Sequence, residues 1–526
     1  MNLLTNSHVR GIASKYNAAS FFIDKKIEDG LGQEIAIYYK DEKITYKKLQ
    51  EKINQFGNVL LALNVEMEQR ILIVCYDTPD FIAAFFGAIK IGAVPIPVNT
   101  NMQPHDYEYF LNNSRSKVLV IHQNIWNLIK DRRQNFVYLE HVVVISDEPV
   151  NEPDTKDFYN WMQQASTELD CAHTSIEDAA FWLYSSGSTG SPKGVIHLQH
   201  DMQYAYENYA KNILKINKND ITFSASKLFF AYGLGNGMYF PLGAGASTVL
   251  VPERPTPEVV FETIEKYRPT IFFGVPTLYG AMFNYLEQTG KKYDLSSLRV
   301  CVSAGEALPA AYVTKWKKLF NLDILDGIGS TEVLHIYLSN QIGNVREGSS
   351  GKVVPGYEAK ILDENGSILP DKEIGNLWIK GDSIADRYWN LHEENKKRFH
   401  GEWFHTGDRY YRDEDGYYWY CGRADDMMKI GGIWVSPIEV ESSLLEHESV
   451  LETAVVGVTN EDGLVKTKAF VVLKEGFEPS LRLENELKNF VKSRLASYKY
   501  PRIIEFVKEL PKTATGKIQR FKLRQL

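Results

Sequence analysis

The sequence predicts an α/β protein with a large N-terminal domain and a small C-terminal α+β domain. At 526 residues and 60.0 kDa, the chain is too long for one ordinary hydrophobic core. Short β-branched runs alternate with amphipathic segments, which is typical of helices layered on buried, often parallel strands. These runs are "ILIVC" from residue 71, "KVLVI" from 117, "HVVVI" from 141, "STVLV" from 247 and "TIFFGV" from 270.

The most apolar stretch, "FIAAFFGAIKIGAVPIPV" at residues 81–98, is interrupted by Lys90, Pro95 and Pro97. It therefore predicts a buried helix running into a strand rather than a membrane span. The first twenty residues show no charged segment followed by a long apolar run, so no secretory signal is expected. A cytoplasmic location without a membrane segment follows as the expectation.

The residue pattern of the sequence changes near "CGRADDMMKIGG", residues 421–432, where a charged turn is followed by two glycines. We place the domain boundary there, giving domains 1–423 and 424–526. In the second domain, Ser436 and Pro437 predict the start of a helix, because serine suits the N-cap and proline the first turn. Residues 451–458 and 467–473 then predict strands, and 483–495 a second helix.

Composition excludes several classes of protein. The chain is 44% hydrophobic and 24% charged, with a mean hydropathy of -0.28, as is usual for a soluble globular protein. The formal net charge of -8 argues against nucleic-acid binding, which usually needs a basic face. The four cysteines are scattered, so they predict neither a zinc site nor a disulfide framework: Cys75, Cys171, Cys301 and Cys421.

The stretch "YSSGSTGSPKGV", residues 184–195, has the composition of an anion cradle. Its glycines leave backbone N–H groups accessible to an anion, and its hydroxyl groups and one lysine supply further hydrogen-bond donors. It is not a Walker A loop, because Pro192 stands where the second glycine belongs and Gly194 follows Lys193. From these residues alone, a flexible, solvated surface loop is the alternative. The candidate phosphate-binding residues are Ser185, Ser186, Gly187, Ser188, Thr189, Gly190 and Lys193.

This stretch is followed, in order, by "AGEAL" (304–308), "GIGSTE" (327–332), "WFHTGD" (403–408), "GRADDMMKIGG" (422–432) and "PKTATGK" (511–517). Together these motifs resemble the adenylate-forming ligase superfamily, which includes acyl-CoA synthetases, luciferases and adenylation domains. The resemblance spans essentially the whole chain. It implies an N-terminal domain of two layered sheets and a distorted β-barrel, with a mobile C-terminal lid.

Two further segments, residues 227–245 and 327–340, resemble the benzoate-CoA ligase branch. The resemblance implies that a small aryl acid, such as benzoate or a hydroxy- or aminobenzoate, reacts with Mg-ATP to give aryl-AMP and pyrophosphate. The thiol of coenzyme A then takes the aryl group, giving aryl-CoA and AMP. The expected co-substrates and cofactor are therefore ATP, coenzyme A and Mg2+.

The resemblance also implies roles at the nucleotide. The residues from Ser185 to Lys193 cover the β- and γ-phosphates, Thr331 contacts the α-phosphate, and Glu332 holds Mg2+. Asp408 accepts from the ribose hydroxyls, as a carboxylate with two acceptor oxygens can. Ile328 stands where many relatives have an aromatic residue, so adenine is expected to pack on an aliphatic face. The other implied nucleotide-binding residues are Gly305, Glu306, Ala307, Asp326, Gly327, Gly329, Tyr420 and Arg423.

In the C-terminal domain, Lys517 resembles the lysine that bridges carboxylate and phosphate as the adenylate forms, acting as a point charge. With Thr331 and Glu332 it completes the expected catalytic set. A long thiol needs the space that this lysine occupies, so a hinge is required. Asp425 matches the family's hinge, and Gly432 matches the glycine that lines the pantetheine tunnel. Gly431 stands where close relatives often have serine, and Lys429 is the other residue expected on the coenzyme A side.

The acyl pocket is expected to be apolar. Residues 229–232 include no acid, so ordinary α-amino acids are disfavoured as substrates. Ala231, Tyr232, Gly327, His335 and Ile336 resemble the lining of an aryl pocket, which suits a planar ring. The plainer alternative is that Tyr232 and Ile336 are ordinary core and that His335 is a satisfied buried histidine.

Three other functions remain open from the sequence. The acceptor thiol can belong to a carrier protein instead of coenzyme A. A non-catalytic adenylate-binding protein is a second alternative, although such a protein has no need of Thr331, Glu332 and Lys517 together. Luciferase-type oxygenation is a third.

Overall fold

The computed structural model of the protein describes residues 15–185, 191–424, 426–430, 433–459, 465–496, 498–512 and 518–526. In chain order, the strands are β1 (Ile35–Tyr39), β2 (Glu42–Thr45), β3 (Arg70–Val74), β4 (Val94–Pro97), β5 (Val118–His122), β6 (His141–Ile145), β7 (Thr155–Asp157), β8 (Ala179–Ser185), β9 (Lys193–Leu198), β10 (Ile221–Ser224), β11 (Ser247–Leu250), β12 (Ile271–Gly274), β13 (Val300–Ser303), β14 (Ile324–Gly329), β15 (Ile336–Ser339), β16 (Lys352–Val353), β17 (Glu358–Leu362), β18 (Gly375–Lys380), β19 (Arg387–Tyr388), β20 (Phe399–His400), β21 (Trp403–Arg412), β22 (Tyr418–Arg423), β23 (Met428–Ile430), β24 (Ile433–Val435), β25 (Val450–Thr459), β26 (Val465–Leu473) and β27 (Ile503–Phe506).

The α-helices are α1 (Lys25–Glu28), α2 (Tyr46–Ala62), α3 (Pro79–Lys90), α4 (Pro104–Ser114), α5 (Gln123–Ile129), α6 (Phe158–Gln164), α7 (Asp201–Ala205), α8 (Ala231–Leu234), α9 (Phe240–Ala244), α10 (Pro257–Tyr267), α11 (Pro276–Thr289), α12 (Ala310–Phe320), α13 (His392–Arg398), α14 (Pro437–Leu445), α15 (Leu481–Arg494) and α16 (Arg520–Leu523). Short 3-10 turns cover Lys130–Asn135 and Thr331–Val333, and π turns cover Ser20–Asp24, Tyr206–Lys211 and Gly235–Tyr239.

A five-stranded parallel sheet, in the order β4-β3-β5-β6-β7, forms the first layer of the large domain. The three β-branched runs that begin near residues 71, 117 and 141 form its β3, β5 and β6. The apolar window 81–98 becomes the fully buried helix α3 and the strand β4, as the sequence predicts.

A nine-stranded sheet forms the second layer, in the order β16-β15-β14-β13-β12-β10-β11-β1-β2. The six strands from β14 to β1 are parallel, and antiparallel strands lie at both edges. Ligands in parallel α/β sheets usually bind beyond the carboxyl ends of the strands, and β14 ends directly before the 3-10 turn Thr331–Val333.

Antiparallel strands form the third part of the large domain. One sheet has the order β17-β18-β21-β20, with β22 on the far side of β21, and another has the order β19-β9-β8. The second sheet matters for function, because it joins residues from near position 190 to residues near position 388.

The C-terminal part is a separate small α+β unit, in which β25, β26 and β27 form one sheet with α14 and α15 packed on it. Ser436 caps α14 by accepting a hydrogen bond from the Glu439 amide, and Pro437 is the first helical residue, as the sequence predicts. Across the part of the chain that the structure describes, no helix is long and apolar enough to cross a membrane. All four cysteines are free thiols.

Candidate active site

The Thr331–Glu332 turn is held between two strands of the β19-β9-β8 sheet. The Glu332 carboxylate accepts hydrogen bonds at Oε1 from the Ser185 hydroxyl, at 3.1 Å, and from the Tyr388 hydroxyl, at 2.9 Å. Its backbone carbonyl accepts from the Ala385 amide at 2.8 Å. Glu332 therefore has a fixed position next to the end of β8, where the candidate phosphate loop begins.

Lys193 lies at the other end of that loop. It begins β9, and it is in register with Ser185, the last residue of β8, so the two ends of the loop are neighbours. The Lys193 ammonium donates to Glu394 Oε2 of α13 at 2.7 Å, and its side chain is 12% exposed. Residues Ser186, Gly187, Ser188, Thr189 and Gly190 lie outside the described residues.

The predicted ribose-binding residues come together across β21 and β22, where Asp408 and Arg423 are directly opposite each other. Arg423 Nη1 donates to Asp408 Oδ1 at 3.0 Å and to the Thr406 carbonyl at 3.2 Å. The negative charge of Asp408 raises the pKa of the Arg423 guanidinium. Tyr420 lies three residues before Arg423 on β22 and is half-buried, and desolvation raises the pKa of its hydroxyl.

The predicted adenine-binding segments lie at the carboxyl ends of β13 and β14. Asp326, Gly327, Ile328 and Gly329 form the end of β14. Burial raises the pKa of Asp326 well above its usual range, and its Oδ1 has no hydrogen-bond partner among the described residues. A buried acceptor of this kind suits a donor such as the amino group of adenine.

Residues Gly305, Glu306 and Ala307 follow β13 directly, and Gly305 has a positive φ of 98°, which favours glycine. Glu306 Oε1 accepts a hydrogen bond from the backbone amide of Ile518 at 3.1 Å. The C-terminal part of the chain therefore contacts the candidate adenine segment. Four predicted residues of the C-terminal part lie outside the described residues: Lys517, Asp425, Gly431 and Gly432. The backbone of Lys429 lies on β23.

The residues of the predicted aryl pocket are brought together beyond β14. The rings of Tyr232 and His335 are 5.7 Å apart, and Gly327 packs so closely on β15 that an added Cβ would lie 3.0 Å from Ile336 Cγ2. Ala231 packs against the same hydrophobic cluster. The prediction that these residues share one apolar region is consistent with this packing.

Polar atoms line one side of this region. His335 Nε2 is 3.1 Å from Asn236 Oδ1, and burial lowers the pKa of His335 to about 3, so the imidazole is neutral at physiological pH. The Tyr232 hydroxyl, Asn236 Nδ2 and His335 Nδ1 lack hydrogen-bond partners among the described residues.

The residues present fit Mg2+. This ion usually takes one or two carboxylates together with phosphate oxygens and water, so Glu332 suffices as its protein ligand. Among the described residues there is no group of three or more His, Cys, Asp or Glu side chains placed to hold a metal by themselves.

Sequence reasoning missed Tyr388, Glu394 and His197, the last of which bonds the carbonyl of Thr331 at 2.8 Å. Tyr388 and Glu394 lie about 200 residues from the phosphate loop and carry no motif of their own. Tyr388 is placed by the antiparallel register of β19 with β9, which pairs Tyr388 with Val195. No local pattern in the sequence indicates that register.

The chain belongs to the AMP-binding enzyme family: the family matches residues 26–389, and its C-terminal domain matches residues 439–517. It is 48% identical to the benzoate–CoA ligase of Thauera aromatica over 516 residues, covering 98% of this chain and 96% of that protein. It is 41% identical to the 4-hydroxybenzoate–CoA/benzoate–CoA ligase of Rhodopseudomonas palustris over 514 residues, 97% of this chain and 94% of that protein.

Two solved structures share the fold over their full lengths. An anthranilate CoA ligase, AuaEII, in complex with anthranoyl-AMP superposes with a TM-score of 0.93 at 42% identity, covering 98% of both chains. A benzoate CoA ligase from Burkholderia xenovorans LB400 superposes with a TM-score of 0.88 at 44% identity, covering 97% of this chain and 100% of that chain. The predicted fold class, a large N-terminal α/β part with a small C-terminal domain, is confirmed.

Proposed function

We propose that the protein is an AMP-forming aryl acid–CoA ligase. It activates benzoate or a hydroxy- or aminobenzoate with Mg-ATP to aryl-AMP and pyrophosphate, and it then transfers the aryl group to the thiol of coenzyme A. The relatives named above act on these acids, as their names state. The proposal keeps the cytoplasmic location expected from the sequence, where ATP and coenzyme A are both available.

One observation carries the proposal: the phosphate side and the acyl side of the site meet within five consecutive residues. Thr331 and Glu332 lie against the end of the phosphate loop, and His335 lies in the apolar region with Tyr232. Since one residue of extended chain spans at most about 3.6 Å, Thr331 and His335 are close enough to contact one aryl-AMP molecule at its phosphate and at its ring.

In the first half-reaction, an oxygen of the aryl carboxylate forms a bond to the α-phosphorus, and the bond from that phosphorus to the pyrophosphate oxygen breaks. Both partners are anions, so the site has to position them and neutralise the developing charge. Lys193 and the loop that it follows serve the β- and γ-phosphates, Thr331 serves the α-phosphate, and Asp408 with Arg423 orients the ribose. Glu332 would hold Mg2+, which would supply positive charge to the leaving pyrophosphate.

In the second half-reaction, the sulphur of coenzyme A attacks the aryl carbonyl, and AMP leaves. The proposal divides the chain at the hinge Asp425 into domains 1–423 and 424–526, so that the C-terminal domain presents Lys517 in the first step and the Lys429–Gly432 segment in the second. The contact of the Ile518 amide with Glu306 supports the proposal that the end of the chain reaches the nucleotide site in the first step.

The test is pyrophosphate release from Mg-ATP with benzoate, the hydroxybenzoates, the aminobenzoates, acetate or amino acids, each with and without coenzyme A, with the thioester followed by mass spectrometry. We expect release with at least one aryl acid, together with the matching aryl-CoA. Release without any CoA thioester would redirect the proposal to a carrier-protein acceptor. Release with acetate or an amino acid alone, or no release at all, would overturn it.

A further inference from the structure

A histidine and an aspartate outside the predicted site form a fully buried pair beside it. His197 lies on β9 and Asp201 begins α7, and both side chains are 0% exposed. His197 Nδ1 is 2.7 Å from Asp201 Oδ2, and the imidazole stacks on Phe181 at 5.1 Å. Burying such polar groups is costly unless they are hydrogen-bonded, so the bonds that the pair makes hold it in place. Asp201 Oδ1 has no hydrogen-bond partner among the described residues and lies 3.4 Å from His200 Nε2.

Hydrogen-bond partners on both sides of the ring fix the position of the imidazole. Asp201 Oδ2 also accepts from the Leu198 amide at 3.1 Å, which ties the carboxylate to the end of β9. On the other side of the ring, His197 Nε2 is 2.8 Å from the carbonyl oxygen of Thr331. A carbonyl oxygen can only accept a hydrogen bond, so Nε2 carries a proton and donates.

The turn that receives this bond needs external support. It is a single 3-10 turn of three residues, and Leu334 directly after it has a φ of 71° and a ψ of -44°, an unusual conformation for leucine. The carbonyl of Thr331 accepts from the Leu334 amide at 3.2 Å within the turn and from His197 outside it. The Glu332 side chain is held separately, by Ser185 and Tyr388.

We propose that His197 and Asp201 form a positioning pair that holds the backbone of Thr331 where this residue can contact the α-phosphate of the nucleotide. The inference rests on the proposed function, in which Thr331 has that contact. The pair does not touch the nucleotide itself. Its effect is to fix one hydrogen-bonding residue, and at metal sites the loss of a comparable outer partner typically costs about ten- to a hundredfold in metal affinity or activity.

The test compares two nearly isosteric variants. In His197→Asn the amide reaches Asp201 but is too short to reach Thr331, whereas in His197→Gln the longer amide reaches the Thr331 carbonyl. Calorimetry measures the binding of AMP, which has an α-phosphate, and of adenosine, which has none. We expect His197→Asn to weaken AMP about tenfold, with adenosine changed less than about twofold, and His197→Gln to recover most of the loss.

His447→Gln is the matched control. His447 is also a buried histidine, with Nδ1 2.8 Å from the Ser449 hydroxyl, but it lies in the C-terminal part of the chain and does not contact the turn. Equal loss of AMP and adenosine in His197→Asn, no loss of either, or the same AMP-selective loss in His447→Gln would overturn the inference. If His197→Asn does not fold, failure of His197→Gln to bind AMP like the unmodified protein overturns it. Absence of AMP binding in the unmodified protein would instead count against the proposed function.

Discussion

At the scale of single residues, the Glu332 carboxylate is the point on which several contacts converge. Two hydroxyl donors, from Ser185 and Tyr388, share one of its oxygens. This arrangement leaves the other oxygen for a metal ion, and it prevents the side chain from rotating away between turnovers. Tyr388 thus acts through Glu332.

The first prediction concerns this tyrosine. Tyr388→Phe removes the 2.9 Å bond to Glu332 and keeps the ring, which packs in the core. Because hydrogen bonds to a ligating carboxylate typically alter metal affinity about tenfold or more, the Mg2+ concentration for half-maximal pyrophosphate release should rise about tenfold. Titration of Mg2+ at saturating nucleotide measures this. Tyr411→Phe, a half-buried tyrosine on β21, is the control, and an unchanged Mg2+ requirement in Tyr388→Phe would contradict the role.

The second prediction concerns the neutral histidine of the pocket. Burial lowers the pKa of His335 to about 3, whereas a histidine in the unfolded chain has a pKa near 6.5. Below about pH 6.5 the histidine binds a proton in the unfolded state but stays neutral in the folded state. The free energy of unfolding therefore falls as the pH decreases towards 3. The loss contributed by His335 approaches about 1.4 kcal/mol per pH unit.

Thermal unfolding at pH 7.5, 6.0, 5.0 and 4.0 tests this. The melting temperature of His335→Gln should depend less steeply on pH than that of the unmodified protein, whatever its value at pH 7.5. His105→Gln, at an exposed site, should leave the steepness unchanged. Parallel pH curves for the unmodified protein and His335→Gln would show that His335 does not titrate abnormally.

At the scale of elements, the short sheet β19-β9-β8 assembles the phosphate side of the site. Its strands present Ser185, Lys193 and Tyr388, and the helix α13 that follows β19 adds Glu394. The acid of α13 therefore competes with any bound triphosphate for the Lys193 ammonium. This competition follows from the contact between Glu394 on α13 and Lys193 on β9.

The third prediction follows from that contact. Glu394→Gln frees Lys193 for the nucleotide, so the KM for Mg-ATP in pyrophosphate release should decrease. A partly exposed ion pair is worth roughly 0.2–1 kcal/mol, which limits the decrease to about fivefold. The neighbouring Glu393→Gln, on the same helix, is the control. A higher KM in Glu394→Gln would mean that Glu394 instead holds Lys193 in its productive position.

The same sheet shows what the sequence predicts and what it does not. Some candidate site residues lie in compact motifs whose residue types indicate their chemistry, and in the structure each of them is hydrogen-bonded to another residue of this region. These residues are Thr331, Glu332, Lys193, Asp408 and Arg423. Tyr388, Glu394 and His197 have no such motif. Their contacts depend on strand register and helix packing between segments up to 201 residues apart, which local patterns do not encode. Strands and helices were predicted better, because hydrophobic periodicity is local.

At the scale of the whole molecule, the C-terminal segment links the two parts of the chain. Arg520 on α16 forms a buried ion pair with Glu441 of α14 at 2.8 Å, so the end of the chain is anchored in the small domain. Two residues earlier, Ile518 contacts Glu306 of the large domain. The proposed movement of the small domain would break the Ile518 contact while α16 would remain attached.

The fourth prediction depends on that movement. Lys517→Ala should reduce aryl-AMP formation about a hundredfold or more, because a point charge at the phosphate is lost, while thioester formation from supplied aryl-AMP should be nearly unchanged. The two half-reactions are measured separately by pyrophosphate exchange and by aryl-CoA formation. Lys512→Ala, whose ammonium bonds Glu452 at 2.6 Å, is the control. Comparable losses in both half-reactions would contradict the assigned role of Lys517.

The Ser185 and Tyr388 hydroxyls form a clamp on Glu332, and this clamp also bears on how the protein is synthesised. The ribosome delivers Ser185 and Glu332 long before Tyr388, and β19 is needed to complete the β19-β9-β8 sheet. A nascent chain that has not yet emerged as far as Tyr388 therefore has the phosphate loop but not the finished clamp. The hydrogen bonds that fix Glu332 are therefore complete only after most of the large domain has been synthesised.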